Sequence, residues 1–280
     1  HKLYPMHRPL ISHLNLTISQ ARQLHGLRQF IPKYNGAVHL ESFDSPQSSP
    51  TSIISSVGQQ SHLIPVTIPV EHSTSQHQMY LVLENVLPTF SKPCIMDIKF
   101  GTQTYEPDAP EEKQHREAMK YPEQKQFGFR LVGMRLYDPD QSILKRRFHD
   151  VVEHPEYVQY DDVTKYVTVS KHFARALHDL DDVSHAVEAF FMDGAADHET
   201  TRRNEGAVEE ILNDLKRIEE WFRRNDSFGF YASSILFVRE GDTNKVAAHG
   251  RQTRTALIDL GRIRLQDGGD DGYLLGLKIL

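Results

Sequence analysis

The sequence predicts an α+β protein, and two contrasting patterns carry that prediction. Residues 93–101 (PCIMDIKFG) alternate with period two, as a half-buried strand does. Cys94, Met96, Ile98 and Phe100 face one way, and Ile95, Asp97 and Lys99 the other. Residues 207–222 instead repeat at i, i+3 and i+4, so Val208, Ile211, Leu212, Leu215, Ile218, Trp221 and Phe222 form one apolar stripe of a helix. No internal repeat is visible.

Taken in order, residues 17–30 read as a helix through Ile18, Ala21, Leu24, Leu27 and Phe30, with Thr17 as its N-cap. Pro32 stops it, and 33–36 (KYNG) read as a turn. Between 41 and 78 the composition shifts to Ser, Pro, Gln and Thr around a short apolar patch at 63–70, the pattern of a loop inserted into a sheet. Residues 79–86 (MYLVLENV) and 129–137 (FRLVGMRLY) are strand-like. Between them 110–120 form a charged helix whose Glu111 and Glu112 suit the positive end of its dipole. Residues 138–170 are polar and show no element. A helix follows at 181–191, then strands at 230–239 and 256–263, a turn at 268–272 and a final helix at 273–280.

The 280 residues, 39% hydrophobic and 25% charged, suit one globular domain or two packed lobes. A net charge of −6 provides no global basic field, so no DNA or RNA partner is expected, and a polyanionic ligand requires cations gathered locally. The single cysteine, Cys94, cannot form an intrachain disulfide and points to a reducing compartment, cytoplasm or nucleus. No apolar run is long enough to span a membrane, and 1–10 lack a signal-peptide core; His1 in place of Met suggests a fragment. There is no Walker loop, G-x-S-x-G or H-E-x-x-H, and the 16 histidines show no paired ligand spacing.

The chemistry centres on Asp97 and Lys99. At i and i+2 of a strand they project from one face about 7 Å apart at Cβ. In a phosphoryl-transfer site the carboxylate orients or accepts the attacking hydroxyl's proton and the ammonium stabilises the transferring group. Spacing alone favours the plainer reading, a surface ion pair on a strand edge.

Residues 93–101 match the P-x-x-x-D-x-K-x-G signature of the inositol polyphosphate kinase family. Three further segments resemble that family in the same order: Ser233-Ser234-Ile235-Leu236 its S-S-L-L, Ile258-Asp259-Leu260 its I-D-F, and residues 271–277 (DGYLLGL) the stretch after it. The resemblance runs from about Leu27 to Leu280. It implies a two-lobed fold distantly like that of protein kinases. Residues 1–88 would form a reduced antiparallel N-terminal lobe with one helix and a hinge, and 89–280 a larger catalytic lobe, with ATP and Mg²⁺ between them. Asp97 and Lys99 would be catalytic. Glu84, Val86, Ser234, Leu236, Asp259 and Arg8 would serve ATP, and Asp259 would also hold the metal. Taken alone, Asp259 fits a cap or turn and Glu84 a solvated strand end.

An inositol polyphosphate would be the acceptor, bound by Lys113, Arg116 and Lys120 on the 110–120 helix with Arg262 and Arg175; the helix spacing alone fits a solvated face equally well. Arg8 stands in RPLIS where the family has a lysine, and the helix after it offers Gln20 and Gln23 in place of an acid. That departure keeps a second class open, a non-catalytic scaffold that binds inositol phosphates. Within the family, residues 120–137 are nearer the multikinases, whereas Arg8 with PLIS and Arg116 lean towards the hexakisphosphate kinases. A monomer is expected.

Overall fold

The computed structural model describes residues 16–41, 77–145, 148, 154–192, 198–242 and 250–280. They fall into two compact units, one drawn from 32–85 and the other from 16–31 with 86–280.

The small unit is an antiparallel pair, β1 (Tyr34–Glu41) and β2 (His77–Leu83). β1 begins where a turn was expected at 33–36; Gly36, at φ 128°, absorbs a shift in pairing register near its start. The region between the two strands, the Ser/Pro/Gln-rich segment, lies outside the described residues. The end of the pair is tied by Glu84, whose N–H donates to the Lys33 carbonyl at 2.7 Å and whose carboxylate accepts the Lys33 N–H at 2.9 Å.

The large unit opens with α1 (Ile18–His25), capped as expected by Thr17, which exchanges hydrogen bonds with Gln20 in a capping box. The helix stops at Gly26, and the rest of the expected span is a 3₁₀ turn, Arg28–Phe30. α1 belongs to this unit rather than the small one. Trp221 Nε1 donates to the Gln23 carbonyl at 2.7 Å, and Gln23 Nε2 donates to the Arg224 carbonyl at 2.9 Å.

Next in the chain come β3 (Pro93–Phe100), α2 (Glu111–Ala118), α3 (Gln124–Phe127) and β4 (Phe129–Tyr137). The segment left unassigned, 138–170, supplies a hairpin of two short strands, β5 (Val158–Asp161) and β6 (Tyr166–Val169). α4 (Lys171–Arg175), α5 (Leu180–Phe191) and α6 (His198–Arg224) follow. The expected strand 230–239 is two strands, β7 (Phe228–Phe230) and β8 (Ser234–Glu240), parted at Ala232, whose φ is 57°. The expected strand 256–263 also breaks, into β9 (Thr253–Ile258), a 3₁₀ turn at Leu260–Arg262 and β10 (Ile263–Leu265), with Asp259 at φ 59°. Left-handed backbone is costly for a residue with a Cβ and cannot continue a strand. α7 (Asp271–Ile279) ends the chain's elements.

Six strands form one antiparallel sheet in the order β5-β6-β4-β3-β8-β9, and β7 pairs with β10 apart from it. β3 is central and alternates as predicted: Cys94, Met96, Ile98 and Phe100 are at most 2% exposed. Behind it the rings of Phe129, Phe100, Tyr273 and Phe222 form a continuous series, closing with Tyr273 and Phe222 stacked at 4.0 Å and 7°. The stripe of α6 buries Ile211, Leu215, Ile218 and Phe222, but Leu212, expected within it, is exposed. At the β9 side of the sheet, Glu210 of α6 accepts the N–H groups of Gln252 and Thr253 and the Thr253 hydroxyl. The Arg28–Phe30 turn also lies against β9. No described helix is long and apolar enough to cross a membrane.

α7 approaches β4 closely where two glycines meet. A Cβ on Gly276 would collide with the Gly128 carbonyl oxygen, a backbone atom that cannot swing aside. Gly276→Ala is expected to lower unfolding free energy by about 1–3 kcal/mol, read from urea denaturation.

Candidate functional site

The half-buried face of β3 organises the site through strand register. Lys99 lies opposite Arg130 of β4 on one side and Ser234 of β8 on the other, while Asp97 lies opposite Gly133 and Leu236. Directly paired residues of an antiparallel sheet share a face. Two adjacent rows therefore cross the sheet, Arg130–Lys99–Ser234 and Gly133–Asp97–Leu236.

Lys99 Nζ donates to the Ala232 carbonyl at 2.5 Å and lies 3.5 Å from Asp259 Oδ2. Its two partners are the two left-handed residues that interrupt the expected strands. Backbone strain of this kind persists where the surroundings enforce it. The Asp259 side chain is 58% exposed and makes no cap hydrogen bond to the 3₁₀ turn it precedes, so the cap reading of this acid does not hold.

Asp97 is the electrostatic counterpart. Burial pushes its carboxyl up to about 6, and the charge of Asp259 adds to the rise; the Ser234 hydroxyl and the Lys99 and Arg130 cations oppose it. Asp97 Oδ1 and Ser234 Oγ are both shielded from solvent, and the Ser234 hydroxyl favours the ionised carboxyl from outside ideal hydrogen-bond geometry. A carboxylate oxygen held this way keeps acceptor capacity for a further donor.

Of the residues expected to bind the nucleotide, Val86 and Leu236 are brought together. With Leu87 they pack on Phe90 and Val238 in an apolar cluster separate from the main core. Ser234 is fully buried beside Asp97. Glu84 is exposed, with its N–H and carboxylate committed to Lys33. Arg8 lies outside the described residues.

The expected acceptor cations do not form one open clamp. Lys113 pairs with Glu106 at 3.0 Å, and Arg262 and Arg264 approach the same carboxylate at 3.6 and 3.3 Å. Desolvation raises the Glu106 pKa, but the Lys113 hydrogen bond, a backbone hydrogen bond and the Arg262 and Lys113 charges outweigh it and hold the group below its ordinary value. Lys120 pairs with Glu117 at 2.6 Å. Arg116 is exposed. Arg130 feels the charges of Arg175, Glu117 and Asp97; burial and Arg175 lower its pKa, and the two carboxylates oppose that. Arg130 Nη1 is buried without a hydrogen-bond partner.

Arg130, Glu106 and Glu117 are the residues that sequence reasoning missed. The position of Arg130 within the predicted strand at 129–137 was a usable signal, but only pairing register shows it beside Lys99. Among the described residues no group of three or more His, Cys, Asp or Glu side chains is placed to hold a metal ion.

Sequence comparison gives the family: an inositol polyphosphate kinase profile matches residues 80–280, and the chain belongs to that family. Human inositol polyphosphate multikinase is 32% identical over 170 residues, covering 61% of this chain and 34% of the relative. Mouse inositol hexakisphosphate kinase 3 is 26% identical over 231 residues, covering 75% of this chain and 51% of the relative. The chain thus spans about a third to a half of the length of these relatives. Among solved structures, an inositol phosphate multikinase from Saccharomyces cerevisiae in complex with ADP and Mn²⁺ superposes with a TM-score of 0.60 at 24% identity, over 78% of this chain and 86% of that one. That likeness establishes a shared fold.

The raised Asp97 pKa has a consequence for stability. Between its ordinary 3.8 and about 6 the folded chain binds a proton that the unfolded chain has released, so this group's contribution to stability falls as pH rises through that window. Asp97→Asn is expected to stabilise the fold at pH 7.5 by on the order of 2 kcal/mol and to make no difference near pH 3.5. Thermal midpoints of both proteins at the two pH values check this.

Proposed function

We propose that the protein transfers the γ-phosphoryl group of ATP to a hydroxyl of an inositol polyphosphate. The observation that carries this reading is the solvent-shielded Asp97 carboxyl, its pKa pushed up to about 6, beside a lysine fixed at Ala232 and Asp259. A base whose pKa lies near working pH is suited to proton transfer. Asp97 accepts the proton of the attacking hydroxyl as the new O–P bond forms. The bond from the γ-phosphorus to the bridging oxygen breaks, ADP departs, and Asp97 later returns its proton to solvent. Lys99 supplies positive charge where it builds on the transferring group.

The residues present also fit a divalent cation. One exposed carboxylate, Asp259, suits a hard ion held mainly by nucleotide phosphates and water; Mg²⁺ fits that description. When bound, such an ion neutralises charge on the phosphates. The solved yeast relative, in complex with ADP and Mn²⁺, supports nucleotide and divalent-metal use by analogy. Val86 and Leu236 offer an apolar surface suited to a purine. The cations that would meet acceptor phosphates are Arg130 and Arg175, with Lys113, Lys120 and Arg262 already paired with Glu106 or Glu117. Acceptor chemistry of the multikinase kind is favoured over pyrophosphate formation, since multikinases match at the higher identity. The lone cysteine fits a site of action in cytoplasm or nucleus.

Incubation with ATP, Mg²⁺ and a panel of inositol phosphates, with products separated by anion exchange, is expected to show a product gaining one phosphate. Asp97→Asn is expected to reduce kcat by about 10³-fold while the protein stays folded. Undiminished turnover in that variant overturns the assignment of Asp97.

A further inference from the structure

We propose that Glu117 sets the acceptor preference, favouring an inositol phosphate that offers this wall a free hydroxyl over one that offers it a phosphate. The inference rests on the phosphoryl-transfer reading and extends it to the class of acceptor. Glu117 lies on the half-buried face of α2, one helical turn beyond Lys113. Its Oε1 accepts from Lys120 Nζ at 2.6 Å and its Oε2 from the Thr104 hydroxyl at 3.4 Å. Desolvation raises the Glu117 pKa, yet the hydrogen bond and charge of Lys120, the charge of Arg130 and the Thr104 hydroxyl together hold it below the ordinary value. Glu117 is therefore a fixed anion throughout the neutral range.

That anion stands among the cations a polyanion would seek. Lys120 is already paired to it, and the charge of Arg130 acts on both it and Asp97. A ring phosphate approaching Lys120 meets a carboxylate and must disrupt a short ion pair. A ring hydroxyl instead donates to the carboxylate and leaves the pair intact. Discrimination here is built from a repulsive element as much as from attraction. Glu106 acts in the same sense beside Lys113, Arg262 and Arg264, so most cations of this wall carry a counter-charge before any ligand arrives.

Wild type and Glu117→Gln are compared with ATP, Mg²⁺ and, in turn, inositol phosphates carrying three, four, five and six phosphates, with kcat and KM measured separately. In the variant, kcat/KM for the most phosphorylated acceptors relative to the trisphosphate is expected to rise about tenfold, through KM. The gain should shrink as salt is raised, which a merely structural role would not produce. An unchanged order of preference in a folded variant overturns the role of Glu117 and leaves the kinase reading standing. No turnover of any inositol phosphate by wild type overturns the kinase reading itself. Should the variant fail to fold, calorimetric binding to wild type decides: weaker binding of the hexakisphosphate than of the trisphosphate supports the proposal, and tighter binding overturns it.

Discussion

The arrangement of the site depends on where one ammonium is held. Lys99 Nζ is fixed by the Ala232 carbonyl and the Asp259 carboxylate, which come from two different strand breaks on the same side of the sheet. Each partner residue has left-handed backbone. On the opposite face of β3, Phe100 is locked between Phe129 and Tyr273, so the strand that carries Lys99 cannot slide or twist without disturbing the aromatic series. Rigid packing behind the sheet and strained backbone in front of it together define one position for the charge.

Much of this was readable from residues alone, and the failures have physical causes. The period-two burial of 93–100 and the capping of α1 by Thr17 followed directly from side-chain type and spacing. The strands expected at 230–239 and 256–263 were overextended because nothing in the identity of Ala232 or Asp259 announces a positive φ. Both interruptions fall on the residues that hold Lys99, which is where local rules are expected to yield to function. The β5–β6 hairpin escaped notice because its strands have four residues each and its turn is made by Asp161, which accepts the N–H groups of Val163 and Thr164. Lys113 and Lys120 were expected from helical spacing with the family resemblance, and Arg262 from that resemblance alone, but their carboxylate partners were not expected. Helical spacing cannot show that Glu117 turns back onto Lys120, or that Glu106 reaches across to Arg262.

The charge balance of the chain now has a local explanation. A net charge of −6 argued against a polyanionic ligand unless cations were concentrated, and the structure does concentrate them, around Glu106 and Glu117. Embedding acids within a basic wall offsets the mutual repulsion of cations held close together. Burial displaces the Asp97 carboxyl upward, whereas Glu117 on α2, although desolvated too, is held downward by its pairing with Lys120.

The Glu210 contacts at the start of β9 bear on how the molecule behaves in company. β9 ends the six-strand order, and a terminal strand with unmet backbone donors is a template for another chain. Here Glu210 takes up the N–H groups of Gln252 and Thr253, and the Arg28–Phe30 turn lies alongside. A helix side chain and a short turn thus blunt one margin of the sheet against edge-to-edge aggregation, leaving less reason for β9 to recruit a neighbour.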